Sequence, residues 1–129
     1  MAKHIKILGI GDPVRLGDAR IVESFLRDCV ANVGMRPLDE PKIIDVPLQI
    51  EKLKSELFED EGGITGQLVG YCTLSTSHIA LHTWPLRREL HLDLYSCREY
   101  DKGELLTFVC EIFRLEKYKV SDLTDACNW

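Results

Sequence analysis

Apolar positions along the chain switch between two repeats, and the switches mark the elements. From His4 to Ile10 apolar and polar residues alternate loosely, which predicts a first strand, broken by Gly9-Ile10-Gly11-Asp12-Pro13. Ile21, Val22, Phe25, Leu26, Cys29 and Val33 then recur at helical spacing. They predict a helix over Ala19 to Val33 with Asp18 as N-cap, ended by Gly34 and kept from restarting by Pro37. Ile43 to Val46 reads as a short strand. Ile50, Leu53, Leu57 and Phe58 predict a second helix over Leu48 to Phe58, ended at Glu61-Gly62-Gly63.

Beyond residue 66 the period-two pattern dominates. Strands are predicted over Gln67 to Leu74, Ser77 to Trp84 and Leu90 to Cys97, with a turn at Pro85-Leu86-Arg87-Arg88-Glu89. A helix over Lys102 to Phe113 follows, with Asp101 and Glu104 at its start, and then a last strand over Tyr118 to Leu123. Consecutive strands with helices segregated to one side predict an α+β two-layer sandwich: a mainly antiparallel sheet with helices on one face.

Composition narrows the function classes without choosing one. The 129 residues suit a single domain, here expected to span 1–129. A formal net charge of −5 with scattered basic residues argues against general nucleic-acid binding, and Arg87-Arg88 reads as a solvated turn. No apolar run approaches a membrane span and no secretory leader is read at Met1, so a cytoplasmic protein without membrane or nucleic-acid partners is expected. Five cysteines, none in C-x-x-C spacing, fit reduced thiols, with Cys29 and Cys110 as small core residues. Gly9-x-Gly11 lacks the third glycine of a dinucleotide loop and reads as a plain turn.

The chemistry-bearing residues gather on one predicted hairpin. Alternation puts His78, Ala80, His82 and Trp84 on one face of their strand, and Asp93, Tyr95 and Cys97 on one face of the next. A register pairing Trp84 with His91 sets His82 against Asp93 and His78 against Cys97, and gathers Ser77, His78 and Cys97 at one end. Such a polar face is either the solvated side of an antiparallel sheet or a site for serine or cysteine nucleophile chemistry. A metal is disfavoured, because His78 and His82 on a strand lie about 13 Å apart.

Ser77-His78, then His82-Thr83-Trp84-Pro85, then Asp93 and Cys97 at this spacing resemble the bacterial and archaeal form of the S-adenosylmethionine decarboxylase family, most sharply from Gly70 to Cys97. The resemblance implies a pyruvoyl cofactor made from Ser77 by self-cleavage between Thr76 and Ser77, giving chains 1–76 and 77–129. The matching roles are proton removal from Ser77 during processing for His82, and reprotonation of the substrate α-carbon for Cys97. The pyruvoyl carbonyl would form a Schiff base with the substrate amine and draw off electrons as carbon dioxide leaves. His78, Trp84 and Asp93 are supporting candidates: Trp84 with Pro85 in shaping the turn, His78 beside the cleavage point, Asp93 in orienting His82.

The chain departs from the family pattern at three places. Thr76 stands where the family has Glu before the serine. Leu86 stands where a Glu holds the substrate ribose. Gln67-Leu68-Val69-Gly70 stands for Gly-x-Ser-Gly, with Val69 at a serine that aids processing, and the adenine-stacking aromatic falls near Gly62-Gly63. Three readings remain open: an S-adenosylmethionine decarboxylase supplying spermidine synthesis, a pyruvoyl decarboxylase of another amine such as arginine or ornithine, and a non-processing, non-catalytic member. The family comparison further implies a homodimer acting on a small-molecule substrate.

Overall fold

The computed structural model describes residues 2–46 and 67–128. In chain order these form β1 (Lys3–Ile10), α1 (Pro13–Leu16), α2 (Ala19–Asn32), β2 (Lys42–Val46), β3 (Gln67–Leu74), β4 (Ser77–Trp84), a 3-10 turn (Pro85–Arg87), β5 (Glu89–Ser96), α3 (Lys102–Phe113), β6 (Lys117–Asp122) and a C-terminal 3-10 turn (Thr124–Cys127). Each described element predicted from the pattern is present. The helix expected over Leu48 to Phe58 lies outside the described residues. Two short elements were missed: the C-terminal 3-10 turn, and the single turn of α1, started by Pro13 and capped by the Asp12 carboxylate, which accepts from Val14 N–H at 2.9 Å.

The six strands form one sheet in the order β2-β3-β4-β5-β1-β6, antiparallel at every pairing. The helices pack on one face of it, so the α+β two-layer sandwich is the observed architecture. Ile5, Ile7, Leu68, Leu81, Leu92 and their strand neighbours fill the covered face beneath Phe25, Leu26, Val109 and Phe113. Phe25 joins the helices, stacking on Phe108 at 5.5 Å and meeting Phe113 edge-on at 5.1 Å. Asp18 caps α2 by accepting from Arg20 N–H at 2.9 Å, and Asp101 caps α3 by accepting from Glu104 N–H at 3.0 Å.

Two glycines are required by close approach. A Cβ on Gly70 would sit 2.7 Å from Leu26 Cδ1, so α2 rests directly on β3 there. A Cβ on Gly11 would sit 2.5 Å from the Phe113 carbonyl oxygen, where the end of α3 meets Asp12 N–H. The second glycine of Gly9-x-Gly11 therefore serves helix–strand packing, in keeping with a turn rather than a phosphate loop.

The β4–β5 register differs from the one assumed from the sequence. Trp84 pairs with Glu89, His82 with His91, Ala80 with Asp93, His78 with Tyr95 and Ser77 with Ser96. The cause is the connection. Pro85–Arg87 winds into a 3-10 turn, and Arg88 adopts a left-handed conformation (φ 59°) that sends the chain straight back. The loop is thus four residues, two fewer than the assumed register needs, and every facing pair shifts by two. Arg88 is also more than a solvated turn residue: Nε donates to the Gly11 carbonyl at 3.1 Å and a terminal nitrogen pairs with Glu116 at 2.7 Å.

Thr83, inside the His-Thr-Trp-Pro run, is fully buried, and its hydroxyl donates to the Leu16 carbonyl at 2.7 Å, tying β4 to α1. Thr83→Val keeps the shape and removes the donor, leaving a buried carbonyl short of a partner. The loss expected in urea denaturation is about 1–3 kcal/mol with the denaturant slope unchanged.

Candidate active site

Ser77 opens β4 directly after the two-residue connection Ser75-Thr76, since Leu74 pairs with Ser77. Its hydroxyl donates to Ser96 Oγ at 2.8 Å. Ser96 is fully buried and its Oγ also accepts from Arg98 N–H at 2.9 Å. Across the same end of the hairpin, Cys97 N–H donates to the Thr76 carbonyl at 3.3 Å. The Thr76–Ser77 peptide is therefore held at two points, its carbonyl by Cys97 and its following hydroxyl by Ser96. Sequence reasoning named Cys97 for its thiol and did not foresee its backbone contact. It passed over Ser96 because a buried serine in an apolar alternation carries no motif.

The other candidates occupy the open face of the sheet, and strand parity decides where. His82 is five residues from Ser77, an odd separation, so the two side chains leave opposite faces and lie about 17 Å apart along the strand. His82 Nδ1 is 2.8 Å from Gln67 Nε2. An amide nitrogen only donates, so Nδ1 accepts and the neutral ring carries its proton on Nε2. His82 stacks on Trp84 at 5.9 Å, Trp84 meets His91 edge-on at 4.7 Å, and the Arg87 guanidinium lies 5.2 Å from the Trp84 ring centre. Gln67 is a second residue the sequence did not single out. It is two residues along β3 from Val69, on the same strand face, and Val69 pairs with His82.

Asp93 does not face His82. It lies beside Ala80 and is bound by His4, with His4 Nε2 at 2.5 Å from one carboxylate oxygen and His78 Nε2 at 3.7 Å from the other. The expected pairing failed because it rested on the shifted register, and His4 on β1 was invisible to hairpin reasoning. His78 stacks on Tyr95 with ring centres 5.5 Å apart. Cys97 is exposed, 3.8 Å from the Tyr95 hydroxyl, and that hydrogen bond, with the nearby thiol charge, holds the hydroxyl above its ordinary pKa. Leu86 projects from the turn with 67% of its surface exposed.

Among the described residues no group of three or more His, Cys, Asp or Glu side chains is arranged to hold a metal ion. No described helix is long and apolar enough to cross a membrane. A cavity of about 550 Å³ lies against α3 and the end of α2, lined by Asn32, Phe108 and Glu111 among others and by none of the candidate residues. Ser77, His82 and Cys97 instead lie along an open sheet face and its rim.

An antiparallel sheet covered by helices on one side carries Ser77 at the start of one strand of a hairpin and Cys97 just past the end of its neighbour. The family profile described as S-adenosylmethionine decarboxylase matches residues 5–125, and the chain belongs to that family. Among solved structures, the crystal structure of the adenosylmethionine decarboxylase from Aquifex aeolicus VF5 superposes with a TM-score of 0.71 at 15% identity, covering 96% of this chain and 89% of that one. No curated protein sequence matches the chain. At 15% identity the superposition carries the fold, and the family profile carries the membership.

Burial is the first cause that lowers the His91 pKa from its ordinary 6.5. Glu89 opposes it by raising the value, while His82 and Arg87 lower it further. The unfolded chain then takes up a proton that the folded chain refuses. The stability this contributes is full above the ordinary value and is lost as pH falls from there through the folded value. His91→Gln is expected to flatten the fall in urea midpoint between about pH 7 and pH 5. The imidazole resonances of His91 in the wild type should titrate below those of an exposed histidine; a midpoint at or above that reference would refute the assignment.

Proposed function

We propose that this family member is a self-processing, pyruvoyl-dependent decarboxylase that acts on S-adenosylmethionine and supplies its decarboxylated product to spermidine synthesis. The observation that carries the reading is the doubly held Thr76–Ser77 peptide. Attack of Ser77 Oγ on the Thr76 carbonyl carbon exchanges the peptide bond for an ester and places negative charge on the carbonyl oxygen in the transition state. Cys97 N–H is already aimed at that oxygen, and Ser96 Oγ takes the hydroxyl hydrogen bond. Neither contact needs the carboxylate that the family carries at the Thr76 position. Loss of the Ser77 α-proton then expels the Thr76 carboxylate and leaves a dehydroalanine; its imine tautomer takes up water and releases ammonia, leaving the new N-terminus as a ketone.

The surroundings of Ser77 suit such a serine-derived pyruvoyl group. It opens a strand whose backbone is held on both sides, and Cys97 is exposed at the same hairpin end. When present, the group supplies an electron-withdrawing carbonyl that condenses with an amine and accepts electrons as carbon dioxide leaves. Cys97 is the residue to return a proton to the substrate α-carbon. Leu86 favours a second reading, a different amine substrate such as arginine or ornithine, because an exposed leucine accepts no hydrogen bond from a ribose. Carbon dioxide release from S-adenosylmethionine compared with arginine and ornithine separates the two.

The parity of β4 supports a homodimer. A His82 that lies about 17 Å from its own Ser77, on the other face, cannot take that serine's α-proton. A second chain packed at the hairpin rim where Ser77 stands could bring its own His82 to the serine, and Leu8, Ile44 and Tyr71, exposed on the open face, offer a partner apolar surface to cover.

The intact mass of the purified protein under denaturing conditions tests the processing. Two species matching residues 1–76 and 77–129 are expected; a single full-length species that persists on incubation eliminates both enzyme readings. Ser77→Ala should abolish cleavage, and Ser96→Ala should slow it by ~10–100-fold by releasing the nucleophile from its position. For the dimer, Ser77→Ala and His82→Ala chains are each expected to stay uncleaved alone, whereas on co-refolding the His82→Ala chain cleaves. Cleavage of His82→Ala by itself, or none in the mixture, rules out the exchange of His82 between chains.

A further inference from the structure

We propose that Cys127, His4 and Asp93 form a thiol site that exchanges with small-molecule disulfides, separate from the processing centre at Ser77. Three distant segments converge to build it. The C-terminal 3-10 turn is fastened to the start of β1: Leu123 N–H donates to the His4 carbonyl at 2.8 Å, and His4 N–H donates to Thr124 Oγ1 at 3.3 Å. Asn128 closes the clasp, accepting from Ala2 N–H and donating to the Ala2 carbonyl, both at 2.9 Å. The clasp sets Cys127 Sγ 3.5 Å from His4 Nδ1. On the other side of the ring, His4 Nε2 is 2.5 Å from Asp93 Oδ1.

The carboxylate fixes the direction of proton flow. It can only accept, so His4 carries its proton on Nε2 and offers the Nδ1 lone pair to the thiol. Asp93 thereby orients the imidazole that serves Cys127, in the order nucleophile, base and orienting carboxylate that activates a cysteine. The groups facing this line are Lys6 opposite Asp93, His78 on the second carboxylate oxygen, and Tyr95 with its ring edge-on to His4 at 5.8 Å. The Tyr95 hydroxyl feels charge from both the Cys97 and Cys127 thiols. Cys127 is half-exposed, open to a small reagent, and buried Cys29 is not.

The step needs only the disulfide. Cys127 gives its proton to His4 Nδ1, and its sulfur attacks one sulfur of the disulfide. A Cys127 mixed disulfide forms, the original S–S bond breaks, and the departing thiolate takes the proton from His4. The disulfide is itself the oxidant: Cys127 passes to the disulfide level as one half of the reagent leaves as thiol. The adduct would stand at the rim of the open face, beside Tyr95 and near the exposed Cys97.

The test is timed labelling of the reduced full-length protein with glutathione disulfide, quenched and read by peptide mass at each cysteine. Cys127 is expected to react on the order of tenfold faster than the more exposed Cys97, with a rate that levels off at low pH instead of following hydroxide concentration. His4→Gln should bring the Cys127 rate down to that of Cys97 and restore dependence on hydroxide; Asp93→Asn should give a smaller loss in the same direction. Cys29 reports folding, because it labels only if the core opens. If His4→Gln labels Cys29, the Asp93→Asn and Asp93→Glu pair decides, with Glu expected to retain more of the rate than Asn. Faster labelling at Cys97, or a Cys127 rate indifferent to His4 or, in that case, to Asp93, overturns the proposal. The mapping reads the same cysteines whether or not residues 76 and 77 are cleaved, so it stands apart from the processing reading.

Discussion

The covering of the sheet on one face only is the constraint from which the rest follows. Once α2 and α3 bury Ile5, Ile79, Leu81 and Leu92, each strand must send alternate residues to opposite sides. On β4 this puts Ser77 at the rim of the covered layer and His78, His82 and Trp84 on the open one. A one-residue slip would bury two histidines and expose Ile79 and Leu81, so the hydrophobic pattern enforces the parity. The separation of Ser77 from His82 on opposite faces is then a product of the folding energetics.

The short turn after Trp84 applies a second constraint, on register. Arg88 in its left-handed conformation, tied to Gly11 and Glu116, closes a four-residue loop and fixes which residues of β5 face β4. It gives His82 a neighbour in His91 rather than Asp93, sets Ser96 against Ser77, and frees Asp93 for His4. The polar network of the open face splits in two. One part runs from Gln67 through His82 and Trp84 to His91; the other runs from His78 through Asp93 and His4 to Cys127. Of the departures from the pattern the resemblance implies, Val69 lies in the first part, opposite His82, and Gln67 on the same strand face supplies a polar contact to that ring.

The His-Thr-Trp-Pro run shows how one motif mixes physical duties. His82 projects to the open face, where Gln67 holds its Nδ1. Thr83 turns inward and holds α1 to the sheet. Trp84 is stacked between His82 and the His91 edge beneath the Arg87 guanidinium, and Pro85 starts the turn. A run of four residues is recognisable in sequence because two of them are fixed by packing and turn geometry, whatever the substrate.

What the sequence determined by itself is what depends on neighbours along the chain. The period-two runs fixed β3 and β4 to the residue, the helical spacing and Asp18 and Asp101 fixed α2 and α3, and the spacing of Ser77, His82 and Cys97 identified the family. α1 escaped because a single capped turn is too short to show a period. Tertiary structure alone decided the contacts between segments far apart in sequence. Ser96 on Ser77, Cys97 N–H on the Thr76 carbonyl, Gln67 on His82, and His4 between Asp93 and Cys127 all depend on register and strand order. Those are set by a left-handed turn residue and by the sum of side-chain packing across the sheet, neither of which leaves a repeat in the one-dimensional pattern.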